Sequence, residues 1–371
     1  MHTVDSKPQV IWVGPYVPVK NLRAWRAASP AAIKWQSHLL AALRKSGCNV
    51  DLFYYRPDPF WPKGRLAPWA SRREAVNFDG FCHELKYINL PGMRSLTFRE
   101  QILSAFARAK SLNNDALPIV ISYNAPGWLQ ASIRRQRVLG EVKWICIVAD
   151  GIAPAGADGY VFLSYGYYQR FSCKHKLHLD GGVYPPIALT EFDLLSKTLG
   201  KKIFLYSGSL GSWGGVDLLF EALSLLDRSD FELVVTGPYP EPRIRQKMDV
   251  DQRVSYLGLL KEPDLMAVYA QADFFVNPRP TRVKFGENNF PSKLLDYMGW
   301  GKPILSTWTD GLSPEYLNRL EVFEDNPEHL AKLMTKVLEG SYQRITNLSA
   351  GKDWLTHAQR LCTFLQKIEH I

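Results

Sequence analysis

Apolar runs of four to seven residues recur along this chain, and most stop at a turn residue. Val10–Val13 (VIWV) runs into Gly14 and Pro15, and Pro118–Ser122 (PIVIS) into Tyr123 and Asn124. Lys143–Ala149 (KWICIVA) stops at Asp150-Gly151, Lys202–Tyr206 (KIFLY) at Ser207-Gly208, and Phe231–Thr236 (FELVVT) at Gly237-Pro238. Asn49–Tyr55, Gly159–Ser164 and Asp273–Asn277 have the same character. Runs without polar alternation are strands buried on both faces, as parallel sheets require. Helical stretches stand between them. Ser29-Pro30 opens one that Gly47 closes, with Ile33, Leu39, Leu40 and Leu43 as its apolar stripe. Thr97 to Ser111 reads as another, with Thr97 and Glu100 spaced as a capping box. Strand, helix and parallel strand make a right-handed βαβ unit, so the chain belongs to the α/β class.

With 371 residues, the chain is too long for one ordinary core, and two domains are expected. The turn Asp180 to Pro186 (DGGVYPP) marks the junction, because the charge balance changes there. Residues 1–185 hold 24 Lys and Arg against 12 Asp and Glu, while the rest hold 21 against 24. The expected domains are 1–184, 185–352, and a closing helix over 353–371 that packs back toward the first domain. No apolar run approaches the roughly 18 residues of a spanning helix. No secretory signal is apparent in MHTVDSKPQV, so a cytoplasmic location is expected, with peripheral attachment to the inner face of the membrane. The five cysteines (Cys48, Cys82, Cys146, Cys173, Cys362) form no CxxC pair, which argues against a disulfide framework or a zinc module. The Cys173, His175, His178 spacing matches no common structural zinc pattern, so no metal is expected.

The basic first half calls for an anionic partner. Phe53 to Arg73 mixes Tyr54, Tyr55, Phe60, Trp61 and Trp69 with Arg56, Lys63, Arg65, Arg72 and Arg73. Such a mixture suits a membrane interface, packing on the domain's own core, or stacking on single-stranded nucleic acid. An anionic membrane surface is the expected partner, and nucleic acid is not. In a doubly wound sheet, ligands meet the carboxyl ends of the strands. The loop after the first strand brings Tyr16, Trp25 and Arg26 to that edge, as acceptor-contact candidates or as a solvated loop. Asn124 and Asp150 stand there too, suited to a sugar or to loop capping. The first loop has no GxGxxG, which counts against a nicotinamide or flavin dinucleotide fold.

The stretch Asn277 to Ser306 (NPRPTRVKFGENNFPSKLLDYMGWGKPILS) carries the most chemistry. Ser292 opens a predicted helix that Gly301 ends. Backbone amides and Lys293 at a helix start suit a diphosphate, and Asp296, about one turn on, suits the hydroxyls of a ribose. A helix start of this kind also occurs where nothing binds. The glycine-rich turn Ser207 to Gly215, between a strand and a helix, lets backbone approach a phosphate or simply pack closely.

Taken in order, YSGSLGSWGGVDLLFEA, LVVTGP, VSYLGLL, LMAVYAQADFFVNPRP and FPSKLLDYMGWGKPIL resemble the GT-B glycosyltransferases, most closely family 4 of the retaining enzymes that build bacterial polysaccharides. The resemblance covers residues 200–310 well and the first half by architecture alone. It implies two Rossmann-like domains facing across a cleft. It also implies hexose transfer from a nucleotide-diphosphate sugar to a saccharide or lipid-diphosphate-linked acceptor, with retention, no metal, and no cofactor beyond the co-substrate. Asn289, Phe290, Ser292 and Lys293 would cradle the diphosphate and donor sugar, and Asp296 would hold the ribose. Gly237, Leu259 and Leu260 would line the base, and Gly208 and Ser209 would lie by the phosphates, with Arg279 supplying charge. Asn124, Asp150 and Asn288 are the implied catalytic positions. Asn288 departs from the family, which often has an acid there, and Glu287 is adjacent. Ser209 and Gly214 stand where the family often has Arg and Lys. The alternatives are a nucleotide-sugar epimerase on the same architecture and, after it, a nucleic-acid-binding protein that uses the basic half.

Overall fold

The structure is a computed structural model that describes residues 9–18, 25, 27–70, 76, 78–112, 117–186, 200–238, 240–281, 288–342 and 351–369. The chain divides into two compact units. Unit 1 is Met1–Leu163, Tyr168–Gly181 and Lys352–Ile371, and unit 2 is Ser164–Tyr167 with Gly182–Gly351.

Unit 1 contains β1 (Gln9–Pro15), α1 (Pro30–Lys45), β2 (Asn49–Tyr55), β3 (Cys82–Glu84), α2 (Met93–Leu112), β4 (Ile119–Tyr123), α3 (Gly127–Val138), β5 (Lys143–Val148) and β6 (Gly159–Phe162). The short α4 (Tyr165–Arg170) straddles the division, and β7 (Lys176–His178) completes the sheet. All seven strands run parallel in the order β3-β2-β1-β4-β5-β6-β7. Order reverses between β1 and β4, which makes the sheet doubly wound. The predicted caps hold at α1, where Ser29 Oγ accepts from Ala32 N with Pro30 next in line. They fail at α2. Thr97 Oγ1 donates back to the Met93 and Arg94 carbonyls, so Thr97 lies inside a helix that already began at Met93.

Unit 2 contains β8 (Lys202–Ser207), α5 (Val216–Ser224), β9 (Phe231–Thr236), α6 (Pro242–Val250), β10 (Val254–Tyr256), α7 (Glu262–Gln271), β11 (Phe274–Asn277), α8 (Lys293–Met298), β12 (Ile304–Thr307), β13 (Glu321–Phe323) and α9 (Pro327–Leu338). Its six parallel strands follow the order β10-β9-β8-β11-β12-β13. That is the Rossmann order, with its reversal between β8 and β11. Phe204, Leu233, Val235 and Val276 from the sheet pack with Leu219, Leu223, Leu330 and Met334 from α5 and α9. The expected class, two Rossmann-like α/β domains, is the one observed.

The last helix, α10 (Trp354–Glu369), belongs to unit 1 and packs on α1. Trp35 joins the two. Its ring meets Trp354 edge-on at 6.1 Å, and its Nε1 donates to the Asp180 carbonyl at 2.9 Å. The same packing corrects the cysteine reading. Cys48, just beyond α1, and Cys362, on α10, form a disulfide although 314 residues separate them. Spacing along a sequence carries no sign of such a pair. Cys82, Cys146 and Cys173 are free thiols.

Candidate functional site

The candidate donor site is built at the carboxyl edge of the unit 2 sheet, where β8 and β11 part. Gly208 leaves β8 in a conformation only glycine adopts easily (φ +152°), and a Cβ on it would stand 2.8 Å from Lys293 Nζ. Lys293 is the first residue of α8, and its ammonium sits 4.4 Å from the Tyr206 ring centre. The cation is thus held on an aromatic face at the end of β8. Burial, with a smaller contribution from the charge of Arg279, lowers the Lys293 pKa to about 7. Arg279, in the loop after β11, donates from Nη1 to Asn289 Oδ1 at 3.3 Å. Lys293, Arg279, Gly208 and Asn289 therefore gather where the strand order reverses, the place an α/β sheet offers a ligand.

The loop backbones around them are fixed. Tyr206 Oη donates to the carbonyls of Ser209 (2.5 Å) and Gly214 (3.1 Å). Gly208 N donates to Thr236 O, and Gly237 N to Gly258 O, both at 3.0 Å. Tyr297 Oη accepts from Ser207 N at 3.0 Å and anchors the end of β8 to α8. Gly215 (φ +76°) lies so close to the next loop that a Cβ would overlap the Pro278 carbonyl oxygen. The sequence pattern does not single out Tyr206 or Tyr297. The only sign was a tyrosine at the end of one strand and another in the following helix pattern, and neither is diagnostic.

The remaining expected donor residues are placed unevenly. Asp296 is half-buried on α8, and its negative charge helps raise the pKa of Tyr269 and Tyr297 after burial itself. Phe290 is 4% exposed against Tyr316, so its backbone rather than its ring is available. Asn288 is buried, Leu260 is half-buried and Leu259 is exposed beyond β10. Ser292 makes no side-chain cap, and α8 has only six residues. Its dipole is correspondingly small, and the two cations carry the case for an anion. Glu287 lies outside the described residues.

In unit 1, Asn124 and Asp150 come together at the ends of β4 and β5. Asn124 adopts φ +41°, rare for a residue with a side chain. Its Oδ1 accepts from Ala149 N (2.8 Å) and Asp150 N (3.3 Å), and its Nδ2 reaches Asp150 Oδ2 at 3.4 Å. Asn124 thus caps the loop that presents the exposed Asp150. Tyr16 is buried beside Ser37, and Trp25 is buried beneath the guanidinium of Arg65, so neither ring is open to a ligand here. Arg26 lies outside the described residues. Cys173 donates its thiol to the His175 carbonyl. Among the described residues, no three His, Cys, Asp or Glu side chains converge as metal ligands do.

Comparison with known proteins finds similarity over part of the sequence and over the fold. Residues 201–340 match the family model described as Glycosyl transferases group 1. A GDP-mannose-dependent monoacylated alpha-(1-6)-phosphatidylinositol monomannoside mannosyltransferase from Corynebacterium glutamicum is 27% identical over 167 residues. That match takes in 41% of this chain and 44% of the relative, so it spans less than half of that protein's length. A glycosyltransferase from Rickettsia africae has a similar structure, with a TM-score of 0.69 and 14% identity over 98% of this chain and 99% of that one. An Anabaena protein crystallised with UDP has a TM-score of 0.64 and 12% identity over 97% and 100%. At these identities the structural likeness speaks for the fold, and it extends through both units.

Proposed function

We propose that this protein is a glycosyltransferase that moves a hexose from a nucleotide-diphosphate sugar to a saccharide or lipid-diphosphate-linked acceptor, with retention, in polysaccharide assembly. One observation carries the reading. Two cations, Lys293 and Arg279, meet the glycine turn of Gly208 at the strand reversal of unit 2, within the segment that matches glycosyl transferases group 1. The curated mannosyltransferase and the UDP-bound Anabaena structure support a nucleotide-sugar donor.

In this reading the diphosphate lies across Gly208 and Ser209, with Lys293 and Arg279 against its oxygens. Asp296 accepts hydrogen bonds from the ribose hydroxyls, and the base lies toward Gly237, Leu259 and Leu260. Transfer breaks the bond from the sugar C1 to the diphosphate oxygen and forms one to the acceptor hydroxyl oxygen on the same face. The hydroxyl proton leaves with the diphosphate. The two cations stabilise charge as it gathers on the departing oxygen, the electrostatic role a bound metal would otherwise supply. Asn289 holds Arg279 toward the phosphates. Asn288 stands where an acid is common, so the reaction is not assigned a carboxylate there. On unit 1, Asp150 with its positioning residue Asn124 remains the acceptor-side candidate.

The test is transfer of labelled sugar from a panel of nucleotide sugars to lipid-extract and oligosaccharide acceptors. Lys293→Ala and Asp296→Ala should each lower kcat/KM by about 100-fold or more, within the range seen when one preorganised electrostatic group is removed. Unchanged turnover in both would remove the site assignment. Appearance of a new sugar nucleotide without any acceptor would favour the epimerase instead.

A further inference from the structure

We propose that unit 1 docks on an anionic lipid bilayer through the loops that follow β2 and β3. The inference does not rest on the donor site. The two loops form one surface. Asn89 Nδ2 donates to the carbonyls of Pro59 (2.7 Å) and Arg65 (2.6 Å), Trp61 N donates to Asn89 O, and Asn89 N donates to Leu66 O. One buried asparagine thus stitches residues 59–66 to the segment that leads into α2.

That surface exposes six large apolar side chains: Phe60 (46%), Trp61 (51%), Leu66 (46%), Trp69 (37%), Ile88 (37%) and Leu96 (62%). Three of the five exposed aromatic residues among the described ones stand here. Such a concentration marks a surface that meets something other than water. The charge around it has one sign. Residues 56–70 and 85–96 hold five Lys and Arg and a single acid, Asp58. Asp58 is buried, and its Oδ2 accepts from Arg65 N at 2.8 Å. Arg65 pairs with Asp58, and Arg94 donates inward to Asn89 and the Asp58 carbonyl, so the outward charge is cationic, from the exposed Lys63 and Lys86.

The pairing of cations with rings favours a bilayer over nucleic acid. Arg94 lies 3.8 Å over the Phe60 ring and Lys86 lies 5.5 Å over that of Trp69. Each of these cations occupies one face of its ring, which leaves less aromatic surface for the base stacking by which single strands are held. Leu66, Ile88 and Leu96 offer no stacking at all. Aromatic and aliphatic side chains at the depth of the headgroups, with cations among the phosphates, suit a bilayer surface. Among the described residues, no helix is long and apolar enough to cross a membrane, so this contact would be superficial.

The test is sedimentation of the full chain with vesicles of phosphatidylcholine containing about 30% phosphatidylglycerol, beside pure phosphatidylcholine, at low and high salt. The chain should bind the charged vesicles at least tenfold more strongly, and high salt should weaken binding. The combined Trp61→Ser, Leu66→Ser and Leu96→Ser variant should lose at least tenfold in binding while melting as the wild type does. If that variant unfolds, quenching by brominated lipid decides instead: it should be present in the wild type and reduced in Trp61→Phe. Equal binding to neutral and charged vesicles, or undiminished binding by a folded triple variant, overturns the proposal. Retention on single-stranded DNA or self-association through the patch, with no vesicle binding, overturns it as well.

Discussion

Lys352 Nζ lies 2.6 Å from Asp180 Oδ2, and the two side chains are 2% and 1% exposed. They are 172 residues apart. His357 Nε2 approaches the other carboxylate oxygen at 3.4 Å, and Trp35 binds the Asp180 carbonyl. Burial alone would raise the Asp180 pKa, but the Lys352 charge and the His357 contact overcome it and hold the carboxyl well below its ordinary 3.8. Lys352→Met leaves a buried carboxylate without its cation and should cost about 3–5 kcal/mol in urea unfolding. The sign with pH follows. A depressed carboxyl stabilises above its unfolded value and loses that contribution as pH falls through and below it. Below about pH 4 the wild type should therefore lose stability more steeply than the Asp180→Asn, Lys352→Met double variant, as read from melting temperature against pH.

A second prediction concerns Lys293. Its pKa, lowered to about 7 by burial and then by Arg279, means that the free site is half-neutral near pH 7. A diphosphate favours the charged form, so above that pH binding must take up a proton. Affinity for a nucleoside diphosphate should fall by up to tenfold per pH unit between about pH 7 and 9, and proton uptake should appear as buffer-dependent heat in calorimetry. In Lys293→Met the uptake should vanish. A pH-independent affinity in the wild type would contradict this.

Gly215 tests the closure of the turn. It combines φ +76° with contact against the Pro278 carbonyl, so Gly215→Ala meets both a conformational and a steric obstacle. The conformation alone costs roughly 1–2 kcal/mol, and the overlap adds to it. Urea unfolding of unit 2 should register the loss. Gly301→Ala should show mainly the conformational cost, because Gly301 (φ +64°) has no neighbour within 4 Å of its missing Cβ.

Asn124 separates strain from hydrogen bonding. Asn124→Ala removes the acceptor for Ala149 N and Asp150 N while keeping a Cβ at φ +41°. It should cost about 1–3 kcal/mol. Asn124→Gly loses the same bonds but relieves the backbone, and should be milder by about 1 kcal/mol. If Asp150 serves transfer, both variants should lower kcat more than they raise KM, because each frees the loop that holds it.

Much of the fold was readable because buried parallel strands leave continuous apolar runs, and KIFLY, FELVVT and KWICIVA each became a strand where expected. The start of α2 was not readable, since the Thr97 hydroxyl serves a helix interior as readily as a cap. The gathering of Lys293 and Gly208 was half legible. Each lay in a recognisable segment, but only the strand order shows that these segments meet. Burial of Tyr16, Trp25 and Phe290 was hidden, because an aromatic residue in a loop looks the same whether it faces water or the core. The Asp180–Lys352 and Cys48–Cys362 pairs depend on α10 returning to α1, and nothing local to either residue records that return.

Because α10 and Lys352 belong to unit 1, that unit is interrupted in sequence by nearly all of unit 2. During synthesis on the ribosome, the strands of unit 1 emerge first, yet Asp180, Trp35 and Cys48 must wait for partners made after residue 351. Unit 2 is contiguous from Gly182 to Gly351, apart from the short Ser164–Tyr167 stretch, and emerges whole while unit 1 is still incomplete. A chain ending at Gly351, tethered to the ribosome by a linker long enough to clear the exit tunnel, should therefore protect unit 2 from protease while leaving the α1 face of unit 1 open to it.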